Sequence, residues 1–429
     1  MTTTVSTAAA NAGRASLFRI ANGRNMFATF ALVTTLFLLW GFCNGLIDIL
    51  NKHFQSTLHI NKYQSGFVQT ANYMAYFLMA IPAGFLARRF GYKGGIIIGL
   101  GLIAAGAVWF IPATQIGAYW TLLTGLFIIA AGMTCLETIA NPYTILLGAP
   151  ESGATRINIA QTFNGVGWIL GPVVGGYFVF GDVNGANPNA GLYVPYLGIA
   201  VVVSILIAVF SFSYVPDLHA EEEVKEEAQG KARKALWRRS HFTLGVLAQF
   251  LYVAAQSGIF GFFINYVLEN VHGVAPLVAS KWLGLFGFGL FMVGRMCGSA
   301  VVSVMKPNQT LAVYAAIDTV LCLVAMVGGT VGFGALLGSF FFMSIMYPTI
   351  FALAIRGLGE HTKFGSSLIV MSIVGGAIAP PLMGHIADIA SMRVGFLVPF
   401  ACFILIAIYG ALWPRLEAAD AQVRQTDGA

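Results

Sequence analysis

Glu137 is the only charged residue between Tyr119 and Leu147, and it lies about halfway along that apolar run. Asn141 follows four residues later, with Pro142 directly after it. Residues four apart share a face of an α-helix. Glu137 and Asn141 therefore point the same way from a helix that Pro142 is expected to kink. An ionised side chain at mid-membrane depth costs at least ~3 kcal/mol, so it faces a cavity or a partner. The chemistry open to such a group is the loading and release of a proton, or the binding of a polar solute. The plainer alternative is a packing carboxyl held by a polar neighbour.

Other apolar stretches carry polar residues at the same helical spacing. Asn44 and Asp48 are four apart. Asp48 lies toward the end of its run, beside Asn51 and Lys52, and is read as a water-accessible carboxylate or a helix-end residue. Gln69, Asn72, Tyr73 and Tyr76 form a second stripe, and Gln161, Asn164 and Trp168 a third. Gln249, Tyr252 and Gln256 share a face, Asn265 follows them, and Tyr347 precedes Pro348 beside an expected kink. Polar groups in hydrocarbon are unfavourable unless paired or hydrated. Each stripe alone is explained by hydrogen bonds between helices; together they predict a polar cavity. Amides both donate and accept, which suits hydroxyl groups. Aromatic faces suit the C–H faces of a sugar ring. A phosphate or carboxylate ligand calls for buried Arg or Lys, and only Arg295 falls within a run. Arg295 is read as pairing with an acid or capping a helix. Asp318 and Glu269 are read as a bundle-facing acid and an external helix end, and His272, His361 and His385 as solvent contacts near run ends. The pattern favours a neutral polyhydroxyl solute.

The elements that must hold these residues follow from composition. Of 429 residues, 58% are hydrophobic and 9% charged. The apolar runs are long and lack the alternation of a membrane β-barrel. The chain is therefore an all-α membrane protein, and its many glycines suit closely packed helices. Twelve transmembrane helices are expected, at 27–50, 64–87, 94–113, 119–148, 157–180, 193–215, 243–270, 277–305, 309–330, 333–357, 364–388 and 393–414. The one long polar linker falls after the sixth, giving two six-helix halves, 27–215 and 243–414, as in many secondary transporters. Segments 1–26, 216–242 and 415–429 are then a tail, a linker and a tail. The linker runs from a Glu-rich stretch into a basic cluster and is read as a surface helix or a solvated connector. With the N-terminus inside, eighteen Lys and Arg residues fall on the cytoplasmic side, while Lys52, Lys62, Lys281 and Arg393 fall outside. That asymmetry places both termini in the cytoplasm.

Several classes are excluded. The net charge of +6 comes from basic residues between the runs, so no nucleic-acid partner is expected. Cys43, Cys135, Cys297, Cys322 and Cys402 all lie in apolar runs and read as small packing residues rather than disulfides or metal ligands. No cofactor is expected: there is no phosphate-binding loop and no ligand-spaced histidine group. The polar first 26 residues lack the apolar core of a removable signal peptide.

Gly84 to Lys93, G-F-L-A-R-R-F-G-Y-K, resembles the cytoplasmic loop signature of the major facilitator superfamily, with Arg88 where that pattern usually has an acid. More specifically, the chain resembles the L-fucose:proton symporter family of that superfamily, which includes bacterial glucose/galactose transporters. The resemblance rests on W-G-F-C-N-G-L-I-D-I-L at 40–50, G-L-F-I-I-A-A-G-M-T-C-L-E-T-I-A-N-P at 125–142 and R-I-N-I-A-Q-T-F-N at 156–164. In the second half it rests on V-L-A-Q-F-L-Y-V-A-A-Q at 246–256 and M-S-I-M-Y-P-T-I-F at 343–351. It implies the major facilitator fold and makes Asp48 and Glu137 the family's two functional carboxylates, the second in proton coupling. By the same resemblance Gln161, Asn164 and Tyr347 match pocket positions and Asn44 an asparagine near the first carboxylate. Ile47 stands where the family commonly has Asn.

The expectation is an inner-membrane symporter for a neutral monosaccharide (fucose, galactose or glucose), working by alternating access. The coupling ion is H+, with Na+ the alternative. Asn44, Asn72, Asn141, Gln161, Asn164, Gln256, Asn265 and Tyr347 are the expected substrate-binding residues, and a monomer in the lipid bilayer is the family expectation. An enzyme is disfavoured because no nucleophile–base pair or metal set is present. A non-transporting sugar sensor is disfavoured because no soluble signalling domain is present.

Overall fold

The computed structural model describes residues 17–20, 24–149, 152–181, 190–216, 236–358 and 362–427. The readings of the first sixteen residues, of most of the linker and of His361 lie outside the described residues. The described chain is helical; its one β feature is an isolated bridge between Arg19 and Asn25. Hydrocarbon offers no partner for backbone N–H and C=O groups, so apolar runs of this length satisfy them internally as helices.

In chain order the helices are α1 (Phe27–Leu58), α2 (Lys62–Ser65), α3 (Phe67–Ile116), α4 (Tyr119–Leu146), α5 (Gly153–Phe180) and α6 (Ala190–Phe212). The order continues with α7 (Ser240–Gly261), α8 (Phe263–Asn270), α9 (Pro276–Trp282), a π-helical turn at Leu283–Phe288, and α10 (Gly289–Val304). It ends with α11 (Pro307–Val327), α12 (Gly329–Met343), α13 (Met346–Ile355), α14 (Thr362–Met371), α15 (Gly375–Ile389), α16 (Met392–Gly395) and α17 (Leu397–Asp427). Among the described residues, eleven helical stretches are long and apolar enough to cross a membrane. One of them, α3, holds two expected spans, because Gly91 breaks it with φ 70° and ψ 177°, a conformation open to glycine. The count of twelve crossings therefore fits.

Span ends differ from the helix ends for a physical reason. α1 continues past residue 50 because Asn51 and His53 are buried in protein, at 0% and 4% exposure, so polarity there does not mark a lipid boundary. The expected seventh and tenth spans are each interrupted, at Phe262 and at Ser344–Ile345.

The chain forms two compact units. One comprises the described parts of 1–46, 78–178 and 183–220; the other comprises those of 47–77, 179–182 and 221–429. In the first unit a glycine seam joins α1 to α5. A Cβ on Gly45 would lie 2.7 Å from the Trp168 carbonyl oxygen, and one on Gly171 would lie 2.7 Å from the Leu46 nitrogen. A Cβ on Gly41 or Gly167, one turn away, would meet the Asn164 and Leu38 carbonyls still more closely. Small residues four apart on both helices permit this approach. Arg156, at the start of α5, donates to the Thr144 carbonyl at 3.1 Å, the Leu17 carbonyl at 2.7 Å, Ser152 Oγ at 2.7 Å and the Ala149 carbonyl at 3.1 Å. It also donates to the Ile145 carbonyl. Its guanidinium satisfies carbonyls freed at the end of α4.

In the second unit α17 packs along α11 and α7, and α7 also packs on α13 and α15. α2 seats on α15: Asp388 accepts from the backbone N–H groups of Lys62 at 3.0 Å and Tyr63 at 2.8 Å. Lys62 Nζ pairs with Glu269 Oε1 at 2.6 Å. At the other end, Asp420 accepts from the N–H groups of Ser240 and His241 at 3.1 and 2.9 Å. The His241 ring meets Asp420 Oδ2 at 2.6 Å and the Arg356 carbonyl at 3.0 Å.

Candidate functional site

In the first unit α4 carries Glu137 and Asn141, α5 carries Gln161 and Asn164, and α1 carries Asn44. The glycine seam sets the spacing of α1 and α5, the helices that carry Asn44, Gln161 and Asn164. Half-buried Glu137 lines a small cleft with Leu36, Phe37, Trp40, Leu136 and Ala140. One turn on, Gln161 Nε2 donates to Asn141 Oδ1 at 3.2 Å, joining the two expected amides across α4 and α5. Asn164 Nδ2 donates to the Phe37 carbonyl at 3.1 Å. Asn44 Nδ2 donates to the Trp40 carbonyl at 3.0 Å and lies 3.8 Å from Met133 Sδ. Asn164 and Asn44 thus hydrogen-bond the backbone of Phe37 and Trp40, the two aromatic residues that line the Glu137 cleft. A carboxyl, an aromatic face and a linked amide pair together fit a solute with hydroxyls on its rim and C–H groups on its face.

In the second unit Asp48 is 4% exposed, and its Oδ1 accepts from Gln69 Nε2 at 2.7 Å. Asn72 is buried one turn beyond Gln69. Asp48 is therefore a buried, hydrogen-bonded carboxyl and not the water-accessible one the sequence suggested. The Tyr347 ring lies 6.1 Å from that of Tyr252 at 66°, at the break between α12 and α13. Tyr252 donates to the Met343 carbonyl at 2.9 Å. Gln256 is half-buried on the same helix. Asn265 is engaged with Gln55, donating to its Oε1 at 2.6 Å, so its amide already joins α1 to α8.

Asp318 on α11, read from the sequence as a bundle-facing acid, is wholly buried, with both oxygens unpartnered among the described residues. Two features were not assigned from the sequence. Asn51 is wholly buried, and neither of its amide atoms has a hydrogen-bond partner among the described residues. The pairing of His241 with Asp420 links residues 179 positions apart. Only the first left a local signal, as an extension of the Asn44–Asp48 stripe.

A chain of apolar helices crossing a membrane twelve times, with carboxyls and amides buried within it, is built as a polytopic membrane transporter. The Major Facilitator Superfamily model matches residues 26–373. The L-fucose-proton symporter of Escherichia coli (strain K12) is 38% identical over 408 residues, 90% of this chain and 93% of that protein. A glucose/galactose transporter of Brucella abortus is 36% identical over 386 residues, 89% of this chain and 92% of that protein. The crystal structure of the superfamily transporter FucP in its outward conformation matches with a TM-score of 0.68 at 38% identity, covering 91% of this chain and 99% of that one. This chain belongs to the L-fucose:proton symporter family of the Major Facilitator Superfamily.

Proposed function

We propose that this chain is a secondary active sugar:proton symporter that imports a neutral monosaccharide, with fucose, galactose and glucose as the candidate substrates. The observation that carries the reading is the Glu137 cleft: a carboxyl beside Phe37 and Trp40, with the Asn141–Gln161 amide pair one turn away. The names of the two relatives above support the substrate class, and the first of them supports the proton. Glu137 and Asp48 take the protons; Asn44, Asn72, Asn141, Gln161, Asn164, Gln256, Asn265 and Tyr347 serve the sugar.

Transport then proceeds by alternating access of the halves 27–215 and 243–414, joined by the 216–242 linker. A proton on a buried carboxyl removes the cost of moving a charge through low dielectric. Sugar and proton therefore travel through states that neither reaches as readily alone. The protein functions as a monomer in the inner membrane, with both termini cytoplasmic. The test is uptake of labelled sugars into proteoliposomes, first under an imposed proton gradient and then under a sodium gradient. Proton-driven accumulation of one of the three sugars is expected. Accumulation under sodium alone overturns the coupling assignment, and no uptake of any sugar overturns the substrate class.

A further inference from the structure

Asp48 and Asn72 sit within a set of buried polar atoms that includes Asn51 and Gln69, which the functional reading does not use. Gln69 Nε2 donates to Asp48 Oδ1 at 2.7 Å, which leaves Asp48 Oδ2 buried and without a partner among the described residues. Three residues along α1, Asn51 is 0% exposed, and neither Nδ2 nor Oδ1 has a partner among them. Three residues along α3 from Gln69, Asn72 Oδ1 is likewise buried and unpartnered among the described residues. Asp48 and Asn51 share a face of α1, and Gln69 and Asn72 share a face of α3. A third segment closes on them at Gly261, the last residue of α7, just before the break at Phe262. A Cβ on Gly261 would lie 2.9 Å from Asn51 Nδ2 and 3.2 Å from Gln69 Nε2. Two amides from different helices therefore abut one glycine, and any larger residue there would displace them.

Buried polar groups in folded proteins are nearly always hydrogen-bonded, and a concentration of exceptions calls for a ligand or a role. This set offers a carboxyl oxygen, an amide with donors and an acceptor, and a second amide acceptor. Its only charged member is one carboxyl, and it contains no cation. That inventory matches a hydroxyl group, which donates once and accepts twice.

We propose that Asp48 Oδ2, Asn51 and Asn72 form a hydroxyl-binding subsite for the sugar, with Gln69 the positioning residue that fixes Asp48 and Gly261 the residue that leaves room for the amides. The proposal rests on the sugar reading above and adds residues to it. The subsite is shut from solvent in this structure. A hydroxyl reaches it in a state in which the α7–α8 break parts from α1 and α3.

The test is equilibrium binding of fucose, galactose, glucose and their single-deoxy analogues to purified wild type, Asn51→Ala, Asn51→Asp and Gln69→Leu. Wild type is expected to discriminate against one deoxy analogue. Asn51→Ala should bind the parent sugar about ten-fold more weakly, yet bind that analogue as wild type does, because the hydroxyl it lacks is the one Asn51 serves. Asn51→Asp keeps the shape and serves if the alanine variant does not fold; it too should lose the discrimination. Gln69→Leu should weaken binding several-fold in wild type and have no further effect on Asp48→Asn, a coupling that a general packing defect does not produce. Wild-type affinity and discrimination in a folded Asn51 variant overturns the subsite while leaving the sugar reading intact. Additive effects of Gln69→Leu and Asp48→Asn overturn the positioning role. A wild-type protein that binds no sugar overturns the functional reading and this one together.

Discussion

At the scale of single residues, Glu137 carries the coupling hypothesis. Glu137→Gln mimics its protonated form and keeps its shape and much of its hydrogen bonding. The variant is expected to retain sugar counterflow in proteoliposomes and to lose concentrative, proton-driven uptake, since no proton is exchanged in the cycle. Retained accumulation returns Glu137 to a packing role. Gln161→Ala removes the partner of Asn141, and Asn164→Ala leaves the Phe37 carbonyl without its donor. Each should weaken sugar binding about five-fold, equivalent to ~1 kcal/mol for one lost hydrogen bond. Binding isotherms that match wild type for both would remove α5 from the pocket. These residues were legible in the sequence because helical spacing alone puts Glu137 with Asn141 and Gln161 with Asn164. The contact of Gln69 with Asp48 was not legible, because spacing gives the face of a helix and not which face of another helix it meets.

At the scale of elements, the helices were legible from hydropathy and their ends were not. Hydropathy records transfer to lipid, whereas α1 runs on through Asn51 and His53 because protein covers them. The basic residues show the same limit. Arg156 counts in the sequence as one of eighteen cytoplasmic charges, yet it is wholly buried and bonded to carbonyls where α4 ends. Arg156→Ala would strand several buried carbonyls, each costing about 1–3 kcal/mol when unsatisfied. Folded yield and thermal stability in detergent should fall sharply. Arg156→Lys should recover only part, because an ammonium cannot reproduce the planar fork of donors. Equal stability of Arg156→Lys and wild type would refute the clamp. At the other end of the chain, Asp420→Ala removes the acceptor of the Ser240 and His241 N–H groups and the partner of the His241 ring. It is expected to lower the thermal midpoint while leaving sugar affinity unchanged. A change in affinity instead would tie this end of α7 to the pocket.

At the scale of the whole molecule, the membrane orientation organises every other assignment, and it comes from charge rather than from packing. Lys and Arg resist translocation, so the side bearing eighteen of them is expected to stay in the cytoplasm while the four on the other side cross. On the proposed orientation, the residues that anchor α2, Lys62 with Glu269 and Asp388, lie on the outer side, and the His241–Asp420 contact lies on the inner side. Gly230, in the linker, is the position at which this can be read. A single cysteine there, in a variant with Cys43, Cys135, Cys297, Cys322 and Cys402 replaced, should resist an impermeant thiol reagent in intact cells. It should react in inside-out vesicles. A cysteine at His272, between α8 and α9, should show the opposite pattern, which guards against a reagent that simply fails to reach the linker. Labelling of Gly230→Cys from outside would invert the orientation. Asp48 would then lie toward the cytoplasm, and the subsite it shares with Asn51 would open to the inner face, while net sugar movement would still follow the proton gradient.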